Sequence, residues 1–176
     1  RLEAIYPEGS IARRIRLGGE WLPGMAGARA YPSFDRALHV KKQPELNPRR
    51  PLCWIMDFNV EPMAHLVGQL DVNPHSRRRI FRVFAELILD GGGIDDICQM
   101  FYERFPGHRA EIWIYGDSTS KGRSRQTGKS DYTLVLNAMR QYGVPVRLKV
   151  PESNPPVPDR INSVNHAMRD TDGEAR

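Results

Sequence analysis

Cysteine is scarce in this chain, with two residues in 176, Cys53 and Cys98. One lies inside an apolar strand-like run and the other on a helix-like stripe. Neither a disulfide framework nor a four-ligand zinc site can be assembled from them, and a reducing compartment is implied. Long hydrophobic runs are also missing. No stretch approaches the ~18 to 20 apolar residues of a membrane span, and the amino end carries Glu3, Pro7 and Glu8 where a secretory signal would be apolar. These absences point to a cytoplasmic protein with no membrane partner. There is no internal repeat. An initiator Met is lacking, and the chain runs from Arg1 to the polar Thr171-Asp172-Gly173-Glu174-Ala175-Arg176, which reads as a fragment of a longer polypeptide.

What is present suits one globular domain: 40% hydrophobic content with mixed charges. The 26 Lys and Arg outnumber the 21 Asp and Glu for a formal charge of +5, a mild bias toward a polyanionic partner. Residues 1–50 are broken by Gly and Pro and read as an irregular connector. Residues 51–150 carry the strong periodic signals, and 151–176 add a Pro-rich loop and a last helix. Within the core, strands are predicted over 52–58, 64–72, 80–89, 111–115 and 144–150. Ile94, Ile97, Cys98, Phe101 and Phe105 repeat at helical spacing, with Asp95 and Asp96 in the first turn. A second helix follows a cap at Ser130 or Asp131. Pro151 to Pro158 is expected to be non-helical, with Asp159 capping a final helix through about Met168.

Three strands joined by tight turns, then a helix, then two more strands, imply an α/β fold with a mixed five-stranded sheet in the order 3-2-1-4-5. A right-handed crossover sets the fourth strand beside the first. This is the ribonuclease H-like arrangement, and it places Asp57 beside Asp117. Both end short apolar runs, Cys53-Trp54-Ile55-Met56-Asp57 and Ile112-Trp113-Ile114-Tyr115-Gly116-Asp117. Either acid alone reads equally as turn chemistry. As neighbours they repel, and a divalent cation is the economical reason to keep both.

Ser118 to Lys129 holds four cations, Lys121, Arg123, Arg125 and Lys129, and no acid. The loop is either a solvated tether or a set of backbone-phosphate contacts. Its end, Gly128-Lys129-Ser130, imitates a nucleotide-binding loop, but that fingerprint needs four residues between its glycines and Arg123 to Thr127 make one too many. Glu86 faces either solvent or the acids. Arg77-Arg78-Arg79 with Arg82 reads as a solvated hairpin tip, and His39, His65, His75 and His108 lack ligand spacing. His166 and Asp170, four apart on the last helix, are an exposed pair or a ligand pair.

At Trp54-Ile55-Met56-Asp57-Phe58-Asn59-Val60-Glu61-Pro62-Met63 and Tyr115-Gly116-Asp117-Ser118-Thr119-Ser120 the chain resembles the nuclease domain of tailed-phage terminase large subunits. The likeness extends to Ser130-Asp131-Tyr132, to Pro158-Asp159-Arg160-Ile161-Asn162-Ser163-Val164-Asn165, and to Gly19-Glu20-Trp21 and Tyr31-Pro32-Ser33-Phe34. The resemblance implies a metal-dependent endonuclease that cuts concatemeric viral DNA, with Asp57 and Asp117 as ligands of two Mg²⁺ or Mn²⁺ ions ~3.5 to 4 Å apart. It implies an ATPase domain of the same full-length protein, a portal and a small terminase subunit as partners, and the bacterial host cytoplasm as location. It also implies a third acid, expected beyond Arg176, with Asp170, Asp159 and Glu86 as weaker internal candidates. The alternatives are a non-catalytic DNA clamp on the same fold, a junction resolvase or transposase, and, least favoured, a P-loop NTPase.

Overall fold

The computed structural model describes residues 30–40, 45–59, 61–72, 77, 79–122 and 128–168. Element order is α1 (Arg36–His39), β1 (Leu52–Asp57), β2 (Met63–Val72), β3 (Arg79–Leu89), α2 (Ile94–Arg104), β4 (Ile112–Gly116), α3 (Asp131–Arg140), β5 (Val146–Leu148) and α4 (Val157–Met168). The five strands form one sheet in the order β3-β2-β1-β4-β5. β1 runs antiparallel to β2 and parallel to β4, β2 runs antiparallel to β3, and β4 runs parallel to β5. That order with those directions is the ribonuclease H-like fold.

Alternation decides which face is the core. Leu52, Trp54 and Met56 of β1, Val67 of β2, Leu87 of β3, and Ile112 and Ile114 of β4 are buried together with Ile97, Cys98 and Phe101 of α2 and Tyr132, Val135 and Met139 of α3. Trp54 stacks on Phe101 at 4.1 Å between ring centroids. Each large apolar side chain removed from water contributes about 1.5–3 kcal/mol before entropy is counted. α2 starts where expected because the Asp96 carboxylate accepts from the Gly93 amide at 2.7 Å, satisfying one of the free donors at its N-terminus. Both cysteines are free and buried.

Three local expectations need correcting. α4 begins at Val157, so Pro158 lies inside the helix. Proline is tolerated in a first turn because the amide it lacks would have had no helical partner, and Asp159 is therefore a first-turn residue rather than the cap. The connector contains a short helix, α1, capped by Asp35, whose carboxylate accepts from Ala37 N at 2.8 Å and Leu38 N at 3.2 Å. Arg82 is not part of a free basic tip, since its guanidinium and that of Arg50 both pair with Asp71. Residues 1–29 of the connector, with the Gly19-Glu20-Trp21 likeness, and the hairpin residues 73–76 and 78 lie outside the described residues.

Candidate active site

The parallel pairing of β1 with β4 ends with Met56 opposite Gly116. The next residue on each strand is an aspartate. Adjacent strands are ~4.8 Å apart, and laterally paired residues share a face. Asp57 and Asp117 therefore emerge side by side at the carboxyl ends of two central strands. That is the edge where an open α/β sheet offers a cleft.

Three donors fix Asp117. Its Oδ1 accepts from the Thr119 amide at 2.8 Å, the Thr119 hydroxyl at 2.7 Å and the Asn154 side-chain amide at 2.5 Å. These bonds favour the ionised form and hold the carboxyl down at about 2, with the Arg160 charge as a smaller cause. Asn154 is itself oriented by the Ser118 amide, which donates to its Oδ1 at 2.9 Å. The backbone at Asp117 is locked as well, because the buried Tyr132 hydroxyl donates to its carbonyl oxygen at 2.8 Å. Asp57 is exposed, and its Oδ2 accepts from Asn59 Nδ2 at 2.8 Å.

The Tyr132 hydroxyl is pushed up to about 12 by burial first and then by the charges of Asp117, Asp131 and Asp57. The Tyr132 ring also meets Phe58 edge-on at 5.2 Å between centroids. Among the described residues neither Asp57 nor Asp117 has an ion-pair partner, and Asp57 Oδ1 and Asp117 Oδ2 accept no hydrogen bond. Two hard oxygens left open on neighbouring strands suit a divalent cation that keeps several waters. Among the described residues no group of three or more His, Cys, Asp or Glu side chains is assembled. Glu86 is exposed on β3, opposite Leu66 and two strands away from β1, and is not brought to the pair. Asp159 is exposed in the first turn of α4, and Asp170 lies outside the described residues.

Of the four loop cations, Arg123 and Arg125 lie outside the described residues. Lys129 is exposed. Lys121 ends a 3₁₀ turn, Ser118–Lys121, that Asp117 caps, and it pairs with Glu152 at 2.9 Å. Sequence reasoning misses Asn154, Arg160 and the role of Tyr132 behind Asp117. Ser130-Asp131-Tyr132 is the available signal for the last of these, and nothing local marks Asn154 in a Pro-rich loop.

No protein-family profile matches the chain, and no curated protein matches it by sequence. Among solved structures it is similar to the large terminase from a thermophilic bacteriophage, with 14% identity and a TM-score of 0.49 over 78% of this chain and 31% of that one. It is also similar to Thermus thermophilus RuvC, with 14% identity and a TM-score of 0.38 over 66% of this chain and 68% of that one. The chain spans about a third of the length of that terminase.

Proposed function

We propose that this chain is a metal-dependent DNA endonuclease domain, and more narrowly the nuclease part of a phage packaging terminase that cuts concatemeric viral DNA in the host cytoplasm. The observation that carries the reading is the lateral placement of Asp57 and Asp117, each with one oxygen free of described partners. Mg²⁺ or Mn²⁺ held there supplies Lewis-acid polarisation of a phosphodiester and a more acidic bound water. Asp57 and Asp117 hold the cation, and Asn154 and Thr119 keep the second carboxylate ionised and aimed. Lys121 is available to a phosphate because its present partner, Glu152, is 98% exposed, and pairs of that kind are worth about 0–1 kcal/mol. With Lys129, and with Arg123 and Arg125 of the same basic stretch of sequence, Lys121 makes up the cationic track this reading assigns to the DNA backbone. The ATPase domain, portal and small terminase subunit are the partners this reading supplies.

Plasmid nicking in Mn²⁺ tests it. Cutting that stops with EDTA and in Asp57→Asn and Asp117→Asn supports a nuclease. Salt-dependent DNA binding with no cutting in any divalent cation would instead favour a clamp on the same fold, the alternative to which the lack of a third acid among the described residues gives weight.

A further inference from the structure

The β2–β3 hairpin has two unlike faces. The inner one buries Met63, His65, Val67 and Gln69 of β2 and Leu87 of β3. The outer one carries Leu66, Leu70 and Val72 along β2 and Phe81, Val83 and Ile88 along β3, all of them 38–48% exposed. The ladder makes these a single patch, with Leu70 opposite Phe81, Gly68 opposite Val83 and Glu86 opposite Leu66. Gly68 keeps the patch level, because a Cβ there would fall 2.6 Å from the Phe81 ring, which lies over the glycine. Monomers rarely leave a contiguous apolar patch of more than a few hundred Å² open to water.

Charge on this face says what covers it. Arg79 stands at one end of β3 and Glu86 toward the other, with Phe81 and Val83 between. Neither has an ion-pair partner among the described residues. One cation and one anion flanking an apolar stretch is a self-complementary pattern, since a two-fold axis sets residue i against j and j against i. An axis crossing β3 between Phe81 and Val83 lays the strand antiparallel on its copy. Arg79 then meets Glu86 of the second copy, Phe81 meets Val83, and Val72 meets Leu66. The strand's open backbone edge is a poorer route, because the register shift at Val67/Gly68 and the nearby Arg82 blunt it.

We propose that the outer face of the β2–β3 hairpin is a self-association surface on which two copies of the chain pack sheet against sheet about a two-fold axis. Asp57 of β1 is in register with Ala64 of β2 and Ile88 of β3, at one end of this face.

Sedimentation equilibrium of the 176-residue chain over a wide concentration range decides the matter. A concentration-dependent dimer is expected, and Phe81→Glu, an exposed position whose change leaves the inner core intact, returns it to monomer with an unaltered far-UV spectrum. Arg79→Glu and Glu86→Arg each raise the dimer dissociation constant about tenfold, while the double reversal recovers it to within about threefold of the parent. A chain that stays monomeric at its highest soluble concentration overturns the proposal, whatever then covers the face. So does a dimer indifferent to all four variants.

Discussion

The hydroxyl of Tyr132 donates to the carbonyl oxygen of Asp117 across 2.8 Å, tying the first turn of α3 to the end of β4. The contact leaves no room for a side chain at the residue before. A Cβ on Gly116 would lie 2.4 Å from that hydroxyl and 2.8 Å from the carbonyl oxygen of Met56. Gly116→Ala is therefore expected to cost about 1–3 kcal/mol through overpacking, and Tyr132→Phe about 0.5–1.5 kcal/mol through loss of one of the two hydrogen bonds the Asp117 carbonyl accepts, the Ser120 amide keeping the other. Urea unfolding measures both. Because each change also loosens Asp117, DNA nicking should fall further than stability does.

Asn154→Ala removes one of the three donors on Asp117 Oδ1. Its carboxyl pKa, now about 2 against an ordinary 3.8, should move upward. In the parent the folded state binds this proton less tightly than the unfolded state. Its stabilising contribution is thus complete above pH about 4 and lost as pH falls through about 2. In the variant the contribution shrinks and its acid limit moves to higher pH. Carboxyl-carbon NMR titration of Asp117 reads the shift directly, and an unchanged midpoint would contradict the role given to Asn154.

His65 gives a second pH signature at neutral-to-acid values. It is buried between Trp54 and Phe58, accepts from the Trp54 indole at 3.1 Å through Nδ1, and leaves Nε2 without a partner among the described residues. Burial lowers it from 6.5 to about 4. Here too the unfolded chain binds the proton more readily, so stability is full above pH about 6.5 and declines as pH falls toward 4. In His65→Gln that part of the slope should vanish, which urea midpoints at about pH 7, 6, 5 and 4 will show.

Legibility followed the physics of each segment. Strand order could be read because Asn73-Pro74-His75-Ser76 demands a tight turn and only one helix separates the third and fourth strands. The register shift at Val67/Gly68 could not, because a bulge depends on cross-strand packing rather than on local propensity. α4 starts earlier than the sequence predicts because Pro158 looks like a barrier, when a first-turn proline costs no hydrogen bond. Asp57 and Asp117 are visible as polar residues ending apolar strands. Asn154 reaches Asp117 across 37 positions of sequence, and no periodic signal records such a contact.

The cationic track should act on phosphate without reading bases. Lys121→Ala and Lys129→Ala are expected to weaken duplex binding about equally on unrelated sequences, each lowering the salt slope by about 1. Fluorescence anisotropy between ~50 and ~200 mM salt provides the measurement. Neither the parent nor Lys129→Ala is expected to bind ATP, and a nucleotide affinity lost on Lys129→Ala would point to a nucleotide site instead of phosphate contact.

The most direct measurement is Mn²⁺ binding by calorimetry, paired with plasmid nicking, for the parent, Asp57→Asn and Asp117→Asn. The expected result is weak Mn²⁺ binding and slow nicking by the parent, both stopped by EDTA, with each variant losing the cation and at least about a hundredfold in rate. Variants that bind Mn²⁺ and cut DNA as the parent does would place the chemistry somewhere other than the ends of β1 and β4.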